Sequence, residues 1–114
     1  MNLLLNLLVL RCADIQLSKA FYENLGLSFD KEKHGNGPEH YATCMNDGLV
    51  IELYPATERF PVDHCRLGVC VPNLSEMAIS FNKEIECRGD TNFFLVKDPD
   101  DRTIELSQKQ RLIG

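Results

Sequence analysis

Leu7-Leu8-Val9-Leu10-Arg11-Cys12-Ala13-Asp14-Ile15, running on to Phe21-Tyr22, is answered later in the chain by Arg66-Leu67-Gly68-Val69-Cys70-Val71-Pro72-Asn73-Leu74, running on to Ser80-Phe81. Each stretch reads as an apolar strand, a short polar cap and an amphipathic helix. Each half then closes on the same tripeptide, Ile51-Glu52-Leu53 and Ile104-Glu105-Leu106. The offset is 59 residues at the start (7 to 66) and 53 at the end (51 to 104), so the second copy is shorter in between. A period in the fifties is too long for a solenoid unit. Two copies fill the chain, which predicts a pair of similar modules.

Working outward from the repeat, the first strand is expected over about residues 4–12, apolar enough to be covered on both faces. Asp14 is a good N-cap for a helix to about Asn24, with Gly26 as terminator. A second strand is expected over 27–33, then a loop through His34-Gly35-Asn36-Gly37-Pro38. Residues 40–46 and 49–54 suit a hairpin turned at Asn46-Asp47-Gly48. Pro55 and Pro61 mark the connection between modules. The second copy predicts a strand at 65–71 and a helix to about Lys83, started by a capping box of Asn73 and Glu76. Strands near 84–87, 92–97 and 103–107 follow, with a type I turn at Asp98-Pro99-Asp100-Asp101. Each module is therefore β-α-β-β-β. The boundaries are about 1–56 for the first and 64–108 for the second, within one domain over 1–114.

The bulk properties bound the function. The chain has 114 residues, 44% of them hydrophobic, with a quarter charged and a formal charge of −5. That is room for one ordinary core or two half-size modules. An acidic balance argues against a nucleic-acid partner, since phosphate binding needs a concentrated basic face. No stretch reaches the ~20 apolar residues of a membrane span. Leu3 to Leu10 has no basic region before it and no small-residue cleavage site, so it reads as a strand rather than a signal peptide. Five cysteines without a C-x-x-C pair suit reduced thiols and a cytoplasmic location.

On these residues the chain resembles the glyoxalase/bleomycin-resistance/dioxygenase (vicinal oxygen chelate) superfamily. The carriers are Leu10-Arg11-Cys12-Ala13-Asp14 leading to Phe21-Tyr22 and Leu25-Gly26-Leu27, then Val50-Ile51-Glu52-Leu53, then Asp98-Pro99-Asp100-Asp101 before Ile104-Glu105-Leu106. Asp101 stands where the superfamily usually has Gly, a tolerable change because Asp visits left-handed conformations. The resemblance implies an α+β fold of two tandem βαβββ modules forming curved, mostly antiparallel half-barrel sheets (glyoxalase-like). It also implies a site between them that often holds a divalent metal. The usual ligands are a His on the first strand and a Glu on the last strand of each module.

Carried over, the glutamate positions are Glu52 and Glu105. Strand alternation agrees, since the flanking Ile and Leu go to one face and the Glu to the other. The same pattern also fits the wet face of an edge strand. The histidine positions hold Leu7 and Arg66. Leucine cannot ligate, and arginine stays protonated and offers no lone pair. A unit charge ~5 Å from a dication at an effective dielectric near 20 opposes metal binding by roughly 6–7 kcal/mol. Arg66 is therefore expected to replace the metal as the cation between Glu52 and Glu105; the alternative is a rim position. His64, of the same strand parity as Arg66, is the one residue that would rebuild a ligand set with the two glutamates, unless it is simply exposed. Tyr54 and Arg11 share the glutamate face as pocket liners or rim residues. His34 and His40 read as surface residues, with His40 at the pocket mouth as the alternative.

The expectation is a small-molecule-binding protein without the usual metal site and without another cofactor, its ligand-binding residues being Arg66, Tyr54, Arg11, His64 and Leu7. The alternative is a lyase/isomerase or dioxygenase dependent on Mn, Ni, Zn or Fe, with Glu52 and Glu105 as catalytic residues and relic metal positions. A symmetric homodimer is the expected assembly.

Overall fold

The computed structural model describes residues 3–109. The chain divides into two compact units between Asp63 and His64, and each repeats one plan. The first contains β1 (Leu7–Cys12), α1 (Ile15–Asn24), β2 (Asp30–Glu32), β3 (His40–Cys44) and β4 (Val50–Pro55). The second contains β5 (Leu67–Cys70), α2 (Leu74–Ser80), β6 (Glu86–Arg88), β7 (Thr91–Lys97) and β8 (Thr103–Lys109). The sheet orders are β1-β4-β3-β2 and β5-β8-β7-β6. In each, the first and last strands pair in parallel and the other neighbours are antiparallel. This is an α+β fold built from a tandem βαβββ repeat, as the doubled sequence predicts. Among the described residues no helix is long and apolar enough to cross a membrane.

Local chemistry explains the elements. Asp14 caps α1 by accepting from the Gln16 and Leu17 amides at 2.9 and 3.3 Å. Gly26, at φ +112°, ends it in a conformation that costs a glycine little. The β3–β4 turn closes through the Gly48 amide to the Met45 carbonyl and the Leu49 amide to Asp47 Oδ1. Asp101 adopts φ +66°, and its amide donates to the Asp98 carbonyl, closing the expected turn. Two expectations need correction. Asn73 makes no side-chain cap bond, and α2 stops at Ser80, so the capping box does not form. β1 starts only at Leu7, and Leu3, Leu4 and Leu5 precede it exposed, so the long strand expected from about residue 4 is trimmed to its paired portion.

In each sheet one face carries the helix. In the first module Leu10, Cys12, Tyr41 and Leu53 are buried on that face, with Tyr22 and Leu25 from the α1 side. The Tyr41 hydroxyl accepts from Gln16 of α1 at 2.7 Å. In the second, Phe94, Val96, Ile104 and Leu106 are buried with Leu74, Met77 and Ala78. Period-two alternation then sends Leu7, Val9, Arg11, Val50, Glu52 and Tyr54 to the opposite face of the first sheet, and Gly68 and Glu105 to that of the second. The connection after β4 stays with the first module: the Arg11 amide donates to Asp63 Oδ2 at 2.8 Å, and the Ala56 amide to the Cys12 carbonyl at 2.8 Å.

Candidate functional site

On the helix-free face of the first module, β2 and β3 lie in antiparallel register with Glu32 opposite His40 and Asp30 opposite Ala42. That register makes His40 a core residue. It is only 1% exposed, which corrects the expectation of a surface histidine. Residue 40 falls at the start of the expected 40–46 strand, beside the Gly- and Pro-rich loop, and a strand end next to a loop reads as exposed. The pairing of two short strands across that loop was the signal that would have found it. His40 Nδ1 is 3.2 Å from the Pro38 carbonyl, and Nε2 is 3.2 Å from Glu32 Oε1 and 3.5 Å from Glu52 Oε2. His34 Nε2 reaches the same Glu32 oxygen at 3.6 Å.

Tyr54 stacks flat on the His40 ring, with centroids 4.0 Å apart and planes 11° from parallel. The Arg11 guanidinium lies over the other aromatic groups nearby, 4.8 Å from the Tyr54 centroid and 4.4 Å from that of Phe60. Such cation–π contacts favour the charged guanidinium beside the rings. Burial, together with the neighbouring Glu52 charge, holds the Tyr54 hydroxyl above its ordinary pKa, while Arg11 opposes the shift. Arg11, Glu52 and Tyr54, three residues picked out by sequence, are thus brought into one cluster. Leu7 lies on the same face, paired in register with Val50.

A cleft of about 790 Å³ opens along this module, lined by Leu27, Asp30, Glu32, Ala42, Met45 and Val50 among others, with Asp47 at the β3–β4 turn. Its size falls in the range of small-molecule sites, and its mixture of apolar walls and a few polar groups is their usual make-up. The charged side chains along it, Asp30, Glu32 and Asp47, are all acidic.

The second module tells a different story. Arg66 Nη2 is 3.1 Å from Glu105 Oε1, and Arg88 Nη2 is 3.0 Å from Oε2. Arg88 was not legible as a site residue; it comes from the three-residue β6 and packs its guanidinium 4.4 Å over the Phe93 ring. The Arg88 hydrogen bond is the main cause holding the Glu105 carboxyl below its ordinary range, with Arg66 adding to it against the opposing effect of burial. His64 is exposed and precedes β5. A third arginine, Arg102, is fully buried and donates to Asp98 Oδ2 at 2.8 Å and Asp100 Oδ2 at 3.3 Å, locking the turn before β8.

No protein-family model and no curated protein matches the sequence. Solved structures do match over nearly the whole chain. An oxidase, ChaP-H1, superposes with a TM-score of 0.72 at 13% identity, covering 96% of this chain and 98% of its own. TnmS3, an antibiotic-binding protein from Streptomyces sp. CB03234, gives 0.67 at 17% identity, covering 96% and 98%. A bleomycin-binding protein complexed with bleomycin gives 0.62 at 16% identity, covering 92% and 97%. The chain has the glyoxalase/bleomycin-resistance/dioxygenase fold.

The resemblance carries the superfamily's ligand positions onto Leu7 and Glu52 in the first module and Arg66 and Glu105 in the second. Leu7 offers no lone pair, Arg66 is a cation, and both oxygens of Glu105 are already held by guanidinium groups.

Proposed function

We propose that the chain binds a small organic molecule on the helix-free face of its first module, without the superfamily's two-module metal site. The observation that carries this reading is the double clamp on Glu105, since it leaves a carboxylate satisfied by protein cations where a metalloenzyme needs an available ligand. The cleft of about 790 Å³ supplies a place for the ligand. Acidic Asp30, Glu32 and Asp47 beside Leu27, Met45 and Val50 suit a cationic group on an apolar or aromatic body. The named activities of the fold's bleomycin- and antibiotic-binding members are compatible with that class.

Calorimetry in the presence of chelator, using metal-free bleomycin and a set of aromatic cations with matched aromatic carboxylates, tests it. Binding of cations that weakens several-fold in the Asp30→Asn, Asp47→Asn double variant supports the reading. Binding of neither class, or of carboxylates alone, contradicts it. The homodimer and a cytoplasmic location belong to the same proposal, on the strength of the superfamily resemblance and the unpaired spacing of the cysteines. Sedimentation of the full chain tests the first.

A further inference from the structure

We infer that Glu32, His34 and His40 form a transition-metal site of the first module. The site goes beyond the binding function proposed above and does not depend on it.

The geometry begins with the His40 tautomer. Nδ1 faces the Pro38 carbonyl at 3.2 Å, and a carbonyl oxygen only accepts, so Nδ1 carries the hydrogen. In the neutral ring Nε2 is then a bare lone pair. It faces Glu32 Oε1 at 3.2 Å and Glu52 Oε2 at 3.5 Å, both of them acceptors when ionised. Each of these contacts calls for a positive centre between the ring nitrogen and the carboxylate. A histidine whose second ring nitrogen is tied to a backbone carbonyl is the usual arrangement for a metal ligand, because it fixes the tautomer and the ring orientation.

A proton on Nε2 would satisfy the His40 contacts alone. The metal reading rests on His34: its Nε2 approaches the same Glu32 oxygen at 3.6 Å, and the ligand atoms of Glu32, His34 and His40 all lie within 4.8 Å of one another, which brings a third ligand atom to the cluster. Ligands at ~2.0–2.1 Å from a tetrahedral ion stand about 3.3–3.4 Å apart. The two edges that meet at Glu32 are within a few tenths of an ångström of that spacing. Tyr54 stacked on His40 holds the ring in place, while exposed His34 is able to swing in. Two imidazoles and a carboxylate suit Zn, Co, Ni or Mn, with water completing the shell. Because Glu32 also lines the cleft, an ion here would sit at its wall.

Co²⁺ is the probe of choice, since the exposed thiols of Cys44, Cys70 and Cys87 would announce themselves by thiolate charge-transfer absorption. Titrating the full, chelator-stripped chain is expected to give one equivalent of bound Co²⁺ with visible d–d bands and no thiolate band. His34→Ala should weaken binding by about tenfold or more without changing the metal-free melting temperature, because the side chain is 73% exposed. His40→Gln should abolish the bands, and His64→Ala should leave them intact. Absence of binding, retention of full affinity in His34→Ala, or loss of binding in His64→Ala would each overturn the proposal. So would ¹⁵N shifts showing His40 Nε2 protonated and unmoved by Co²⁺.

Discussion

Arg66 Nη2 lies 3.1 Å from Glu105 Oε1, so the guanidinium at a position where the superfamily usually carries a metal-binding histidine is paired with the glutamate of the last strand. The carboxylate does not share one cation between its oxygens, because Arg88 takes the second at 3.0 Å. Both oxygens of the carboxylate are thus held by protein cations.

The two arginines have unequal effects on that acid. Arg88→Ala is expected to bring the Glu105 carboxyl up toward its ordinary 4.5 by more than Arg66→Ala does, because the Arg88 bond is the largest cause of the shift. Carboxyl ¹³C titration measures both. A carboxyl with a depressed folded value stabilises the fold above the unfolded value and loses that contribution as pH falls through the folded one. The wild-type advantage over Glu105→Gln is therefore fully present above about pH 4.5 and is lost as pH falls from there through the lower folded value. Both arginines are more than half exposed, so the difference should be about 1 kcal/mol or less.

Arg102 and Asp98 form the other arginine–carboxylate relationship, and here burial changes the magnitude. Both side chains are 0% exposed, joined at 2.8 Å. Asp98 Oδ1 also accepts from the Asp100 and Arg102 amides at 2.9 Å each. Arg102→Met leaves a buried carboxylate without its cation and is expected to cost about 3–5 kcal/mol by chemical denaturation. The double change with Asp98→Asn should recover part of that loss.

Tyr54 supplies a test on the first module. Its hydroxyl is held above the ordinary 10.0 by burial and by Glu52. Ultraviolet titration of tyrosinate should show one group ionising late, and Glu52→Gln should move it down. For an acid raised in the folded state, the stabilising contribution is present below the unfolded value and is lost as pH rises through the folded one. The base-induced unfolding of wild type and Tyr54→Phe should therefore diverge only above about pH 10.

Asp14 is an exposed helix cap whose side chain accepts two amides of the first turn of α1. Asp14→Ala should cost ~1 kcal/mol, with a range of 0.5–2. The equivalent Asn73→Ala in the second module should cost less, because Asn73 makes no side-chain cap bond.

The fold was legible because its signals are local and doubled. Strand apolarity, the Asp14 cap, Gly26 and the Asn46-Asp47-Gly48 turn each act within a few residues, and the repeat offers most of them twice. Glu52, Tyr54 and Arg11 were legible as one face because period-two alternation needs no knowledge of the partner strand. His40, Arg88 and Arg102 were not. His40 is buried by the register between β2 and β3, Arg88 meets Glu105 only after β6 pairs with β7, and Arg102 is enclosed by a turn whose acids fold back on it. Short strands carry little periodicity, so nothing in residues 30–32 or 86–88 fixes which side chain faces which. The Asn73–Glu76 pattern errs in the other direction, since a capping sequence does not by itself ensure a cap.

The central claim is that a small molecule binds on the helix-free face of the first module while Glu105 stays with its arginines. Titration of ¹⁵N-labelled protein, with chelator present, against the same paired set of aromatic cations and carboxylates tests this most directly. Cations are expected to move the amides of Ala42, Thr43 and Val50 and leave those around Glu105 in place. Perturbation centred on Arg66, Arg88 and Glu105, or no perturbation of the cleft by any cation, would contradict it.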